Sequence, residues 1–145
     1  MKADFNYSDT LIPCVVRNDL GPASVAQTAA VEQYYAQYAF QDGVKVNANG
    51  LDVREIGGSK YGAIVVGEVR NGDGSTTLTN ITQPTHFLYN GSGERTITTS
   101  NDRAIITSVG TGSNSSGIIA AANQILGPII FNEVDRTLRN RIHGP

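Results

Sequence analysis

Apolar residues change their spacing three times along this chain, and each change marks a different kind of element. Residues 1 to 10 are polar and predict an extended arm. Leu11-Ile12-Pro13-Cys14-Val15-Val16 is a short apolar run with a proline inside it. Proline removes a ladder donor, so the run predicts an edge strand or an extended docking segment. Gly21-Pro22 opens a helix expected over about residues 22–41. Pro22 suits the first helical position, and Ala23, Ala26, Ala29, Ala30, Ala36 and Ala39 are strong helix formers. Val31, Tyr34, Tyr35 and Tyr38 fall on one helical face, and Gly43 supplies a stop.

From about residue 44 to 109 the period drops to two. Val44-Lys45-Val46 and Leu51 to Ile56 flank Asn49-Gly50, a hairpin signal. Ala63-Ile64-Val65-Val66 is apolar on both faces and predicts a central strand. Asn71-Gly72-Asp73-Gly74 predicts a turn into a threonine-rich strand over 75–82. Thr85 to Tyr89 follows, then a turn at Asn90-Gly91-Ser92-Gly93, then Thr96 to Thr99 and Arg103 to Val109 separated by Asn101-Asp102. Turns at this spacing describe an antiparallel meander.

The last third, about residues 117–142, returns to helical spacing. Ile118, Ile119, Ala122, Ile125 and Leu126 form one segment. Gly127-Pro128 is expected to break it and start a second helix. Ile130, Val134, Leu138 and Ile142 recur every four residues as an apolar stripe. Acidic residues precede Arg136, Arg139, Arg141 and His143, the order that suits a helix dipole. The fold expected is therefore α+β: one domain over 1–145, with an N-terminal helix, a β meander and C-terminal helices.

Composition narrows the classes of function. The chain has 145 residues, a net charge of −2 and only 17% charged residues. That balance gives no global attraction to nucleic acid, and the surface must be covered largely by Thr, Ser, Asn, Gln and Gly. Cys14 is the single cysteine, which excludes an internal disulfide. No apolar run reaches membrane-spanning length, and the first residues lack the apolar stretch of a secretory signal.

Candidate chemistry is sparse. The two histidines, His86 and His143, lie in unrelated contexts, a strand and a solvated tail, and neither has a nucleophile nearby in sequence. Asn71-Gly72-Asp73-Gly74 resembles the start of a calcium loop, but Thr82 stands where a bidentate glutamate is needed. Gly110 to Gly117 runs from a strand into a helix, the context of a phosphate cradle. Its spacing is wrong: Ser115 replaces the dinucleotide-binding glycine, and Ile118 replaces the P-loop lysine. This loop reads as a hinge. Asp52 and Glu55 carry no mark of a catalytic pair. No catalytic, cofactor-binding or metal-binding residue is assigned, and the chain is expected not to be an enzyme.

The positive signals concern association. Tyr34, Tyr35 and Tyr38 on one helix, and Ile130, Val134, Leu138 and Ile142 on another, are the candidate interface residues, because aromatic and apolar side chains fill interface cores. Arg136, Arg139 and Arg141 are candidate contacts to phosphates or to an acidic partner. The stretches Gly74 to Thr82 and Gly93 to Ser100 are similar to strands of bacteriophage capsid decoration and tail proteins. The order of a meander followed by C-terminal helices is similar to the coat proteins of small RNA phages, which interlock terminal helices and bind RNA across a basic sheet face. The strands here hold only Lys45, Arg54, Lys60, Arg70, Arg95 and Arg103, and the helix at Ala23 to Phe40 departs from that pattern. The resemblance implies a small virion structural protein, either capsid decoration (cement) or coat. It would be a homo-oligomer that contacts the major capsid protein or other virion subunits, assembled in the host cytoplasm, with no membrane and with nucleic acid ranked below protein partners. The alternatives are a tail or adhesin-type β module that binds a host surface or glycan, with Tyr89 as its best residue, and an enzyme that uses the Gly110 to Gly117 loop.

Overall fold

The computed structural model describes residues 14–38, 42–46, 63–82, 91–112 and 117–144. Its elements are β1 (Cys14–Pro22), a 3-10 turn (Ala23–Val25), α1 (Ala26–Tyr38), β2 (Asp42–Val46), β3 (Ala63–Arg70), β4 (Thr76–Thr82), β5 (Gly91–Ser100), β6 (Arg103–Gly112) and α2 (Gly117–His143). The six strands form one sheet in the order β1-β6-β5-β4-β3-β2. Pairing is antiparallel from β1 through β3. The fold is α+β, with both helices on one face of a largely antiparallel sheet.

Strand alternation decides which face the helices take. Val16, Ala104, Ile106, Ile97, Leu78, Ile64 and Val66 are buried beneath the helices, together with Leu20. The main core joins Leu20, Ile97, Ala104 and Ile106 of the sheet to Ala29, Ala30 and Ala36 of α1 and Ile130, Val134 and Leu138 of α2. A smaller cluster of Ile64, Val66 and Leu78 is covered by Tyr34. Burying a Val, Leu or Ile side chain contributes about 1.5–3 kcal/mol, so these layers dominate the stability.

Several local expectations change. The meander runs from β3 to β6, but β2 pairs with β3 in parallel, from Asp42↔Ala63 to Val46↔Gly67. Asp42-Gly43 begins this strand and does not simply stop a helix; the expected partner at Leu51 to Ile56 lies outside the described residues, as does Thr85 to Tyr89. β1 runs on past Gly21 to Pro22, because its pairing with β6 continues to Arg103 across a bulge at Asp19 to Gly21. Gly21 has φ +123°, and a Cβ there would lie 2.9 Å from the His143 ring, so only glycine fits. Gly91 to Gly93, expected in a turn, belong to β5. Asn101 and Asp102 do form a turn, with φ of 52° and 62°. Both residue types tolerate that left-handed region in a two-residue hairpin.

α2 is one continuous helix with Pro128 inside it, where two helices were expected. An interior proline costs a helix about 3 kcal/mol. Tertiary packing overrides this cost: Gly127 is buried so close to β1 that a Cβ would meet Cys14 Sγ at 3.2 Å, and the apolar stripe carries on to the core beyond it.

Candidate functional site

The polar residues buried by the fold converge at its centre. Arg95 lies mid-strand in β5, facing the helices, at 1% exposure; Asp135 of α2 is at 0%. Arg95 Nη2 forms an ion pair with Asp135 Oδ1 and donates to Gln33 Oε1 of α1 at 3.2 Å. Its Nη1 donates to Ser108 Oγ of β6 at 2.9 Å. Asp135 Oδ2 accepts from Asn18 Nδ2 of β1 at 2.6 Å. The same amide reaches Asn132 Oδ1 at 3.0 Å. One network therefore ties β1, β5, β6, α1 and α2 together. Burial pulls the Arg95 guanidinium below its usual pKa, and the Asp135 carboxylate acts in the opposite direction.

Glycines make room for this arrangement. Phe131 of α2 lies under the guanidinium, with its ring centroid 5.5 Å from Arg95 Cζ. The ring sits over the register pair Gly93 and Gly110, where a Cβ would stand 3.4 Å and 3.1 Å from it. Beside this centre Gln37 and Asn80 exchange hydrogen bonds of 3.1 and 3.2 Å between α1 and β4. Gln33, Gln37, Asn80, Arg95, Ser108 and Asp135 are buried and bond to one another, while Gln33 Nε2 and Arg95 Nε have no partner among the described residues. They hold helices to sheet.

Among the described residues, no element covers the opposite face of the sheet. Val15, Val69 and Ile81 are 46–56% exposed there. Around them lie Thr77, Thr79, Thr96, Thr98, Thr107 and Thr111, with Val65, Ile105 and Val109 partly exposed. Thr77 and Thr96 share a hydrogen bond of 3.0 Å, and Ser92 and Thr111 share one of 3.1 Å. Asp19 and Arg103 form an ion pair on this face at 2.9 Å.

No protein-family model matches the sequence, and no curated protein does. The assignment of function therefore rests on the residues themselves.

The expected interface residues separate into groups. Ile130, Val134 and Leu138 are buried in the chain's own core, with Ile142 packed against it. Their stripe is the face by which α2 docks on the sheet, so it is not free for a partner. Tyr34 covers the smaller core cluster. Tyr35 is 54% exposed and Val31 is 56% exposed on the outside of α1; the side chain of Tyr38 lies outside the described residues. The face of α1 that meets the sheet is Ala29, Ala30, Gln33, Ala36 and Gln37, with Tyr34 beside it, while Tyr35 points outward. Small residues let the helix approach closely enough for both glutamines to reach the strands.

The arginines also divide. Arg141 pairs with Glu32 at 2.7 Å and stacks over Tyr35, with Cζ 5.5 Å from the ring centroid. Arg139 is near enough to Asp19 to lower its pKa. Arg136 is exposed. His143 is not a loose tail: its Nε2 lies 2.6 Å from the Leu20 carbonyl. Of the expected hinge, Gly110 to Gly112 belong to β6, and Gly110 seats Phe131. Residues 113–116, His86, Asp52, Glu55 and Tyr89 lie outside the described residues. The turn at Asn71 to Gly74 is closed by Asp73, whose carboxylate accepts from Ser75 N at 2.9 Å and Ser75 Oγ at 2.7 Å.

Gln33, Gln37, Asn80, Arg95 and Ser108 were missed by pattern reading, which takes polar residues as solvated. The signals were present. Gln33 and Gln37 share a helical face with Ala29, Ala30 and Ala36, and Arg95 alternates with Gly93 and Ile97 on one strand face. Among the described residues, no helix is long and apolar enough to cross a membrane.

Proposed function

We propose that this chain is a non-enzymatic virion structural protein, a capsid-associated decoration or coat subunit that works through contacts with copies of itself and with neighbouring capsid subunits. The single observation that carries the reading is the contrast between the two faces of the sheet. On one face, a buried polar network around Arg95 and Asp135 ties the helices to the sheet. The surface left open carries half-exposed Val15, Val69 and Ile81 among threonines. An exposed face that carries the apolar register pairs Val15–Val109 and Val65–Ile81 suits an association surface, and a body whose helices are tied to the sheet by a buried network suits a subunit placed in an array. The resemblance of its strands to decoration and tail proteins points the same way.

The test is the native mass of the purified chain, measured by native mass spectrometry and sedimentation velocity. A defined oligomer is expected. A monomer at every accessible concentration overturns the reading.

A further inference from the structure

We propose that the open face of the sheet is where two copies of this chain meet, sheet against sheet. This inference rests on the assembly reading above and gives it a surface.

Four properties of the face select a second copy as the occupant. The first is its apolar content. Val15 and Val69, at 56% and 46% exposure, lie near opposite edges of the five antiparallel strands, with Val109 beside Val15 and Ile105 and Val65 between and beyond. The second is charge. Among the described residues of the five antiparallel strands, the face holds Arg17, Glu94 and the Asp19–Arg103 pair, two charges of each sign. A polyanion would meet as many carboxylates as guanidinium groups, whereas an identical neutral face meets no net repulsion. Two-fold symmetry demands such self-compatibility, since the same patch serves both partners.

The third property is that four of the hydroxyls on the face are already paired with one another. The Thr77–Thr96 and Ser92–Thr111 hydroxyl pairs bridge neighbouring strands. Covering them leaves fewer orphaned groups than covering free hydroxyls would, and an orphaned buried group is what makes burial costly. The fourth is size. Five strands about 4.8 Å apart, each presenting about seven residues at about 3.3 Å, make a face of roughly 550 Å². Two such faces bury about 1,100 Å², which passes the roughly 1,000 Å² expected of a specific interface. The result is a four-layer body, helices–sheet–sheet–helices, with the two sheets crossing at about 30°.

The experiment is sedimentation velocity on the full chain from about 1 to about 100 µM, a range that spans micromolar dissociation constants. It is run on wild type, Val15→Asp, Val69→Asp and Val31→Asp. All three substituted residues are half exposed, so circular dichroism should be unchanged, and Val31 on α1 is the control. Wild type should form dimers. Val15→Asp and Val69→Asp should each weaken dimerisation by at least about tenfold, which is about 1.4 kcal/mol, and Val31→Asp should not. In a second measurement, Thr107→Cys at the middle of the face should cross-link between copies with a short bismaleimide. This readout does not depend on the aspartate variants folding. A dimer that survives both face variants, with no cross-link at Cys in position 107, overturns the inference and leaves the assembly reading standing. A wild type that is monomeric throughout overturns both. A monomer that binds single-stranded RNA through Arg17, lost in Arg17→Ala, also overturns both and assigns the face to nucleic acid.

Discussion

At the scale of single residues, Arg95 and Phe131 set the terms. Breaking a buried ion pair from one side leaves an uncompensated charge, which costs about 3–5 kcal/mol. Asp135→Ala should therefore lower the urea midpoint by that equivalent, measured by chemical denaturation. Replacing both partners, Arg95→Met with Asp135→Leu, should restore most of the loss, because apolar pairs of similar volume often match or exceed buried ion pairs. Gly110→Ala should cost about 1–3 kcal/mol by overpacking and more than Gly93→Ala, since the added Cβ meets Phe131 at 3.1 Å against 3.4 Å. Trimming the ring in Phe131→Leu should relieve part of the Gly110→Ala penalty in the double variant; an additive loss would mean that the ring is not what the methyl meets. Cys14 gives a simple readout of packing. Burial raises its thiol pKa, so it should react with a thiol reagent more slowly at neutral pH than a free cysteine does, until denaturant releases it.

At the scale of elements, the hairpins and the terminal helix were legible and the docking faces were only partly so. The turns at Asn71 to Gly74 and Asn101-Asp102 follow from residues that tolerate turn geometry. The stripe from Ile130 to Ile142 follows from its four-residue period, although its role is internal packing. α1 was harder to read, because its tyrosines form a better apolar stripe than the face it buries. Its alanines gain their value from closeness to the sheet, and its glutamines from partners 43 and 62 residues away in sequence. The parallel β2–β3 pair and the unbroken α2 are likewise decided by tertiary contact. β1 carries an acid-sensitive tie. The Asp19 carboxylate is held below its usual pKa by the hydrogen bond from Arg103, then by the Gly21 amide. A carboxylate with a depressed folded pKa contributes fully above its unfolded value, near 4, and loses that contribution as pH falls through the folded value. The Gly21 amide, which donates to Asp19 Oδ1 at 2.8 Å, should therefore become less protected as pH drops below about 4. Asp19→Asn should remove that pH dependence from its hydrogen-exchange profile.

At the scale of the whole molecule, the protein is a two-sided plate. One side is closed by two helices bolted through Arg95 and Asp135, and the other is patterned with valine, isoleucine and threonine. On the proposed reading, anchoring of the helices and association fall to opposite faces of the same strands, residue by alternate residue. The two properties should separate experimentally. Asp135→Ala should lower the unfolding midpoint, while Val15→Asp should leave the midpoint of the monomer within about 0.5 kcal/mol, as surface changes do, and alter only its association.

The pairing of β1 with β6 also has a consequence for the moment of synthesis. Residue 14 leaves the ribosome well before residue 110, its register partner. At about 5–20 residues per second, β1 waits roughly 5–20 seconds for the strand that pairs with it. The Asp135 that fixes Asn18 arrives later still. Through that interval the nascent chain cannot close its sheet, so a complete face forms only after β6 has emerged. If two copies meet on this face as proposed, their pairing must wait for β6, and the order of the strands alone would disfavour earlier association.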